Sequence, residues 1–395
     1  MRIGRTLPPS AAPLGWRDIC HGVAGLFAGA QVTDALAAEI RREFGVDCVF
    51  FLASGKAALR LTLSAISSLS PRKRNVVIPA FTCFSVPAAV LQAGLRPVVC
   101  DIDANTFDFD YEQLARVIDE NTLCVVAHHL FGIPAAIDRV HALCRPCGVV
   151  VIEDAAQAMG VESGGRLLGT SGDAGIFSLG RGKHLTCGSG GIVVAQRGPV
   201  ADAIQREYQQ VPEPSLGRQV IDLLKVLLMA VFIRPSLYWI PSALPFLRLG
   251  QTIFPRHIPV TRLGGMKAGV LRGWRTRLER ANRVRTEATT YFSERLGIPL
   301  PAGTAHPYLR VPLVANTASH KETVCAIARR RGLGIGVAYP SPIDDIPEVR
   351  AVCNDDRFPT ARRIADNLLT LPTHHFVSER DRRAIADLCT ALTAA

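Results

Sequence analysis

Between residues 49 and 196 short apolar runs alternate with helix-like stretches: VFFLAS (49–54), NVVIPA (75–80), RPVVCDI (96–102), LCVVAHHL (123–130), GVVVIED (148–154), AGIFSL (174–179) and GIVVAQ (191–196). Runs this short and this rich in Val and Ile, separated mostly by segments long enough for a crossover helix, predict a largely parallel seven-stranded sheet covered on both faces. The segment KAALRLTLSAISSL (56–69) repeats Leu and Ala at helical spacing straight after Ser54-Gly55. In open α/β sheets ligands sit at the carboxyl ends of strands, where helix N-termini point free N–H groups. The chemistry is therefore expected at the ends of these runs.

After residue 200 the pattern changes. Residues 219–249 (QVIDLLKVLLMAVFIRPSLYWIPSALPFLRL) are unusually apolar but broken by Arg234, Pro235, Pro241 and Pro245. A spanning helix needs about 20 uninterrupted apolar residues, so the stretch predicts a pair of short apolar helices. Three fates stay open for it: burial in a dimer core, an apolar substrate pocket, or peripheral contact with a membrane interface, for which Tyr238 and Trp239 are suited. An Arg-rich helical region follows (266–296). The remainder predicts strands at LRVPLVA (309–315) and GIGVAY (334–339), with helices near 320–331, 359–369 and 378–393. The expected organisation is a large domain over 1–265, including the apolar insertion, then a connecting helix and small C-terminal α/β domain over 266–395.

The chain has 395 residues, 48% hydrophobic and 20% charged, which excludes a disordered chain, a disulfide miniprotein and a coiled coil. A net charge of +11 is compatible with nucleic acid, an anionic membrane face or a phosphorylated substrate. The basic clusters Arg72-Lys73-Arg74 and Arg329-Arg330-Arg331 lack any nucleic-acid motif and read as solvated faces, so no nucleic-acid partner is expected. Eleven scattered cysteines, with no signal-like N-terminal segment, point to a reducing, cytoplasmic setting. Cys144 and Cys147 form a lone CxxC without a second pair or nearby His, and no metal is expected.

The chemistry concentrates in VVVIEDAAQAMG (149–160) and GTSGDAGIFSLGRGKHLTCGSGG (169–191). A strand ending in Glu153-Asp154 puts a carboxylate at the ligand edge, with Gln157 three residues on. The second stretch supplies the Ser178 hydroxyl and, five residues later among glycines, the Lys183 amine. Such a set suits pyridoxal 5'-phosphate, which needs an amine for its aldehyde, a carboxylate to keep its ring nitrogen protonated, and donors for its phosphate. Lys183, Asp154, and Ser178 with the helix N-terminus after Gly55 fill these roles; Gln157 is placed to meet the ring hydroxyl or the substrate. A P-loop reading of Ser54-Gly55-Lys56 fails, because the upstream glycine is missing.

These residues resemble the DegT/DnrJ/EryC1/StrS sugar aminotransferases, a branch of the fold-type I pyridoxal-phosphate enzymes. The resemblance rests on SGKAAL (54–59), VVIPAFTCFSVPAAVLQAGLRPVVCDID (76–103), HLFGIP (129–134), EDAAQA (153–158), GDAGIFSLGRGKHLTCGSGG (172–191) and FPTARRIADNLLTLP (358–372), in family order. It implies that Lys183, 29 residues after Asp154, is the Schiff-base lysine, that Asp154 pairs with the pyridinium, that Gln157 faces the ring oxygen and that Ser178 binds phosphate. Ser54, Gly55 and Lys56 align with the phosphate-binding turn, which usually reads Ser-Gly-Thr, and His129 falls beside the cofactor. After Thr82 the family usually stacks an aromatic on the ring; this chain has Cys83 there, so Phe84, one place on, is the aromatic expected. The resemblance implies glutamate as donor, a nucleotide-linked keto-sugar as acceptor, a product for surface polysaccharide or another glycosylated metabolite, and a homodimer. Segment 255–269 lacks the usual Gly-Tyr-Asn-type stretch that reaches the partner's site, and the apolar insertion precedes it. A lipid-linked or otherwise apolar keto acceptor at the membrane is therefore a variant of the same chemistry. A cofactor-dependent sugar dehydratase, which usually carries His in place of the lysine, and a non-catalytic relative are the competing readings.

Overall fold

The computed structural model describes residues 3–247, 249–301, 306–353 and 357–393. The chain ends and Arg248, within the apolar stretch, lie outside the described residues. All seven strands expected between 49 and 196 form, to within about two residues at each end. They are β1 (Cys48–Leu52), β2 (Asn75–Pro79), β3 (Arg96–Cys100), β4 (Thr122–His128), β5 (Val150–Asp154), β8 (Ala174–Ser178) and β9 (Gly191–Ala195), with a small hairpin, β6 (Glu162–Ser163) and β7 (Arg166–Leu167), between β5 and β8.

The sheet order is β1-β9-β8-β5-β4-β2-β3. Every pairing is parallel except the two made by β9, which runs against β8 and β1. The reason is local: the 179–190 connection contains no helix to carry the chain back across the sheet, so it doubles back antiparallel. That connection is the glycine-rich loop with Lys183. In register, His128 of β4 lies beside Asp154 of β5, and Asp154 beside Ile176 of β8, so three strand ends open onto one edge.

The C-terminal part departs from expectation in one place. Strand β10 (Arg310–Val314) forms, but its antiparallel partner is β11 (Leu368–Pro372), the tail of the stretch expected to be helical to 369. Segment 334–339 contributes only one bridge, Gly336 to Thr370. Gly332 and Gly334 sit at φ +68° and +71°, left-handed backbone that interrupts an extended run, whereas Leu368–Pro372 is a fully buried apolar run suited to the ladder. The helices at Ala318–Arg331, Pro359–Asn367 and Glu379–Thr393 form as expected. The Arg-rich region is two helices, Gly265–Val270 and Trp274–Leu296, parted at Gly273 with φ +68°.

The apolar insertion folds as a helix pair, Leu216–Phe232 and Pro235–Ser242. Asp222, Val226 and Ala230 face inward, while Leu216, Leu224 and Leu228 are 64%, 54% and 56% exposed on the outer side. With Trp16 and Phe27 of the helix Trp16–Ala28, which packs alongside, they leave a large apolar face uncovered. Among the described residues no single helix is long and apolar enough to cross a membrane. The inner face is held by a buried ion pair, Lys267 Nζ to Asp222 Oδ2 at 2.9 Å. Lys267 also donates to the Ser189 hydroxyl at 3.0 Å, which ties the insertion to the Lys183 loop.

Removing one partner of a buried pair strands the other charge, so Asp222→Ala is expected to lower unfolding free energy by about 3–5 kcal/mol, and the double change Asp222→Leu/Lys267→Met to restore most of it. Burial raises the Asp222 pKa, but the Lys267 hydrogen bond and charge outweigh it and hold the carboxyl below the usual range. Its stabilisation is therefore present above the unfolded carboxylate pKa and lost as pH falls through the lower folded value. Denaturation of wild type and Asp222→Ala as a function of pH checks this: the two curves should converge in acid.

Candidate active site

The ends of five strands, β1, β2, β4, β5 and β8, and the starts of two helices, Gly55–Leu69 and Ser85–Gln92, line a cavity of about 270 Å³. Ser54, Gly55, Lys56, His129, Asp154, Gln157, Ser178 and Lys183 all line it, so eight of the nine residues singled out in the sequence converge. Phe84 does not. Its ring is 7% exposed within the core beneath the sheet edge, and Cys83 takes the cavity wall at that turn. The aromatic expected against a ring is thus absent at this position, because Phe84 starts the helix Ser85–Gln92 and turns inward.

The phosphate-type corner follows from close backbone approach. Ser54 caps the helix Gly55–Leu69, its Oγ accepting from Ala57 N at 3.2 Å, and the first N–H groups of that helix face the cavity. A Cβ on Gly55 would stand 3.0 Å from Ser178 Cβ and 3.1 Å from its Oγ, tighter than ordinary side-chain contact. Glycine there lets the helix N-terminus and the Ser178 hydroxyl meet one small group from two sides.

At the opposite end Asp154 stands at the tip of β5, its Oδ1 accepting from Ala156 N at 3.0 Å. Gln157 is fixed at both ends of its amide: Phe131 N donates to Oε1 at 3.3 Å, and Nε2 donates to the Tyr339 hydroxyl at 2.9 Å. His129 is fully buried with both ring nitrogens used, Nδ1 accepting from Ala135 N at 3.0 Å and Nε2 bonding Glu153 at 2.7 Å. That leaves its carbon atoms and ring face for the cavity. His128 is engaged by the Phe107 carbonyl at 2.8 Å and the Thr82 hydroxyl at 3.3 Å, and burial holds its pKa below the usual imidazole value.

The Lys183 amine is kept below the ordinary lysine pKa chiefly by burial, with the Arg310 cation acting in the same direction. Asp154 and Cys83 oppose this by favouring the ammonium. Next to it His184 donates to or accepts from nothing charged: its Nε2 bonds the Pro307 carbonyl at 2.9 Å, and burial beside Arg285 pushes its pKa down to about 3. Desolvation favours the neutral amine, the form that condensation with an aldehyde requires. Tyr339, Thr82 and Cys83 also line the cavity and were not singled out from the sequence. Tyr339 ends a run that reads as a strand, and only the packing of the C-terminal part against the sheet edge brings it here.

The profile of the DegT/DnrJ/EryC1/StrS aminotransferase family matches residues 24–211 and 260–389. The chain belongs to this family. Its enzymes are pyridoxal-phosphate-dependent aminotransferases, and so is this one. The chain is 27% identical over 363 residues, 90% of its length and 87% of the relative's, to dTDP-4-dehydro-2,3,6-trideoxy-D-glucose 4-aminotransferase of Saccharopolyspora spinosa. It is 29% identical over 360 residues, 89% and 86% of the two lengths, to UDP-N-acetyl-3-dehydro-alpha-D-glucosamine 3-aminotransferase of Acidithiobacillus ferrooxidans. Its fold is shared with Helicobacter pylori PseC, an aminotransferase of pseudoaminic acid biosynthesis, with a TM-score of 0.78 at 15% identity over 99% of this chain and 100% of that one. The stretch the family profile skips, 212–259, contains the apolar insertion. The cavity fits the family's cofactor: an amine, a carboxylate and a hydroxyl beside a helix N-terminus face one enclosed space.

The electrostatic setting predicts a pH profile. Carbamylation of Lys183 by cyanate in the cofactor-free protein, followed by mass spectrometry, is expected to inflect below the ordinary lysine value of 10.5. Asp154→Asn removes a charge that favours the ammonium and should move the inflection lower still, whereas an inflection unchanged by this substitution would contradict the pairing.

Proposed function

We propose that this enzyme moves an amino group from glutamate to a keto-sugar carried on a nucleotide, with Lys183 as the reacting amine. The observation that carries the reading is the convergence of Lys183, Asp154 and the Ser54-Gly55/Ser178 corner on one cavity. When bound, pyridoxal phosphate supplies an aldehyde for the amine and a protonated ring that accepts the electron pair of the broken C–H bond. In this assignment Asp154 holds the ring-nitrogen proton, while Ser54, Gly55 and Ser178 bind the phosphate, with Lys56 adding its backbone N–H at the helix start. Gln157 meets the ring oxygen and His129 lends its ring face. Lys183 Nζ, once displaced by the donor amine, takes the proton from the donor's Cα, and in the second half-reaction returns one to the acceptor carbon. Its lowered pKa suits it to act as the base. Lysine at this position, in place of histidine, favours transamination over dehydration.

The same reading divides the chain near residue 265 into a large cofactor-binding part and a smaller C-terminal part, and assigns the apolar face of Leu216, Leu224, Leu228, Trp16 and Phe27 to a second copy of the chain. An uncovered apolar face of this kind marks an interaction surface, and a homodimer covers it without a further partner. The face also fits peripheral contact with a membrane, which is the second reading for it and carries the lipid-linked acceptor with it.

Two measurements test these assignments. The wild-type protein with pyridoxal phosphate should show the visible band of lysine-bound cofactor and lose it on adding glutamate, and Lys183→Ala should never form it; a band that survives in Lys183→Ala would sink the assignment. Sedimentation should give a dimer that Leu224→Asp/Leu228→Asp converts to monomer, while a wild-type monomer that floats with anionic phosphatidylglycerol vesicles would transfer the apolar face to the membrane.

A further inference from the structure

A primary amide can turn either its oxygen or its nitrogen towards a ligand, and what holds the one end decides what the other can show. For Gln157 two anchors make that choice. Phe131 N donates to Oε1 at 3.3 Å, and because a backbone N–H can only donate, the amide oxygen is committed there. Nε2 donates one of its protons to the Tyr339 hydroxyl oxygen at 2.9 Å. Gln157 lines the cavity, and its second N–H is the group left to face it.

Both anchors are held independently of Gln157. Phe131 sits at φ +61°, left-handed backbone that is costly for a residue with a Cβ, and its carbonyl accepts from Leu309 N at 2.7 Å. Tyr339 lines the cavity and packs its ring edge-on against the buried ring of Phe81, with centroids 5.2 Å apart. The carbonyl just before it, that of Ala338, accepts from the Thr252 hydroxyl at 3.3 Å. Burial, reinforced by the Cys83 and Asp154 charges, holds the Tyr339 pKa above the usual phenol value, so the group that meets Gln157 is the neutral phenol.

We propose that Tyr339 is a positioning residue: its hydroxyl turns the Gln157 amide so that a free N–H, and not the amide oxygen, meets the ring oxygen of the cofactor. This rests on the placement of Gln157 in the reading above. A donor at that point stabilises the negative charge of the ring oxygen, whereas the amide oxygen would repel it. The nitrogen through which Lys183 holds the cofactor shares its proton with the same ring oxygen. A donor on the oxygen therefore loosens that proton and lowers the pH at which it leaves. Because the phenol comes from the C-terminal part of the chain, the packing of that part against the sheet edge sets the proton affinity of the lysine–cofactor bond.

Spectra of the holoenzyme taken across pH test this without turnover. The visible band of lysine-bound cofactor gives way to near-ultraviolet absorption as the proton leaves, and the midpoint is read in wild type, Tyr339→Phe, Gln157→Leu and the double variant. Tyr339→Phe keeps the ring against Phe81 and deletes only the hydroxyl. It is expected to raise the midpoint by roughly 0.5–1 pH unit, the effect of one neutral hydrogen bond. Gln157→Leu should raise it by at least as much, and the double variant no further than Gln157→Leu, because the phenol acts through the amide. Asp154, Cys83, His128, His129 and Lys183 face the same space and are unchanged in every variant. A Tyr339→Phe midpoint equal to or below that of wild type, even with a raised KM for glutamate or acceptor, overturns the assignment. So does a shift that persists in full on the Gln157→Leu background, or a Tyr339→Phe protein that melts like wild type yet takes up no cofactor. A shift in Gln157→Leu without one in Tyr339→Phe removes Tyr339 alone; no shift in either removes Gln157 from the ring oxygen as well.

Discussion

The sheet edge that carries the chemistry depends on a carboxylate that does not line the cavity. Glu153 is fully buried and accepts from His129 at 2.7 Å, Gly169 N at 2.8 Å, Ser171 N at 2.6 Å and Gly172 N. Burial alone raises its pKa, but the His129 bond and the backbone donors win and hold it below the usual carboxylate value. Taking the ion out of water costs several kcal/mol, and charge-assisted bonds to every lone pair offset that cost. They join the segment after β4 and the turn before β8 to β5 between them. Because side chains alternate along a strand, Glu153 pointing into this clamp obliges Asp154 to point the other way, into the cavity.

Around that frame the reactive group is set by opposing influences on one amine. Desolvation and Arg310 push Lys183 towards the neutral form, while Asp154 and Cys83 push back. The loop that presents it is pinned on several sides: Ser10 Oγ donates to the Gly182 carbonyl at 2.7 Å, His184 bonds Pro307, and Ser189 bonds Lys267. The N-terminal segment thereby takes part in the site although nothing in its sequence announces it. Arg285 from the long helix Trp274–Leu296 reinforces the same strap, donating to the Ala11 carbonyl at 2.8 Å and the Leu309 carbonyl at 3.0 Å.

The apolar insertion is amphipathic in an unusual sense. Its inner side is anchored by a charge, Asp222, and its outer side is hydrocarbon. Through the Asp222–Lys267 pair and the Lys267–Ser189 bond, the segment that the family profile skips is tied to the loop that carries Lys183. One insertion therefore links the chemistry of the site to whatever covers the outer face.

Strand positions, the crossover helices and eight of the residues that line the cavity were legible in the sequence, because alternation of apolar runs with helical segments is a local property and a strand end followed by Ser-Gly or Glu-Asp is a local signal. The ring-stacking expectation for Phe84 was not met: which side of a helix start faces the ligand is decided by the core it packs on. The exchange of 334–339 for Leu368–Pro372 in the small sheet has a similar origin, since both runs have strand-forming composition and only the left-handed glycines and the partner ladder choose between them. The place of Tyr339 in the cavity was not legible beforehand. The residue carries no spacing signal, and its hydroxyl meets the Gln157 amide only when the C-terminal part packs against the sheet edge.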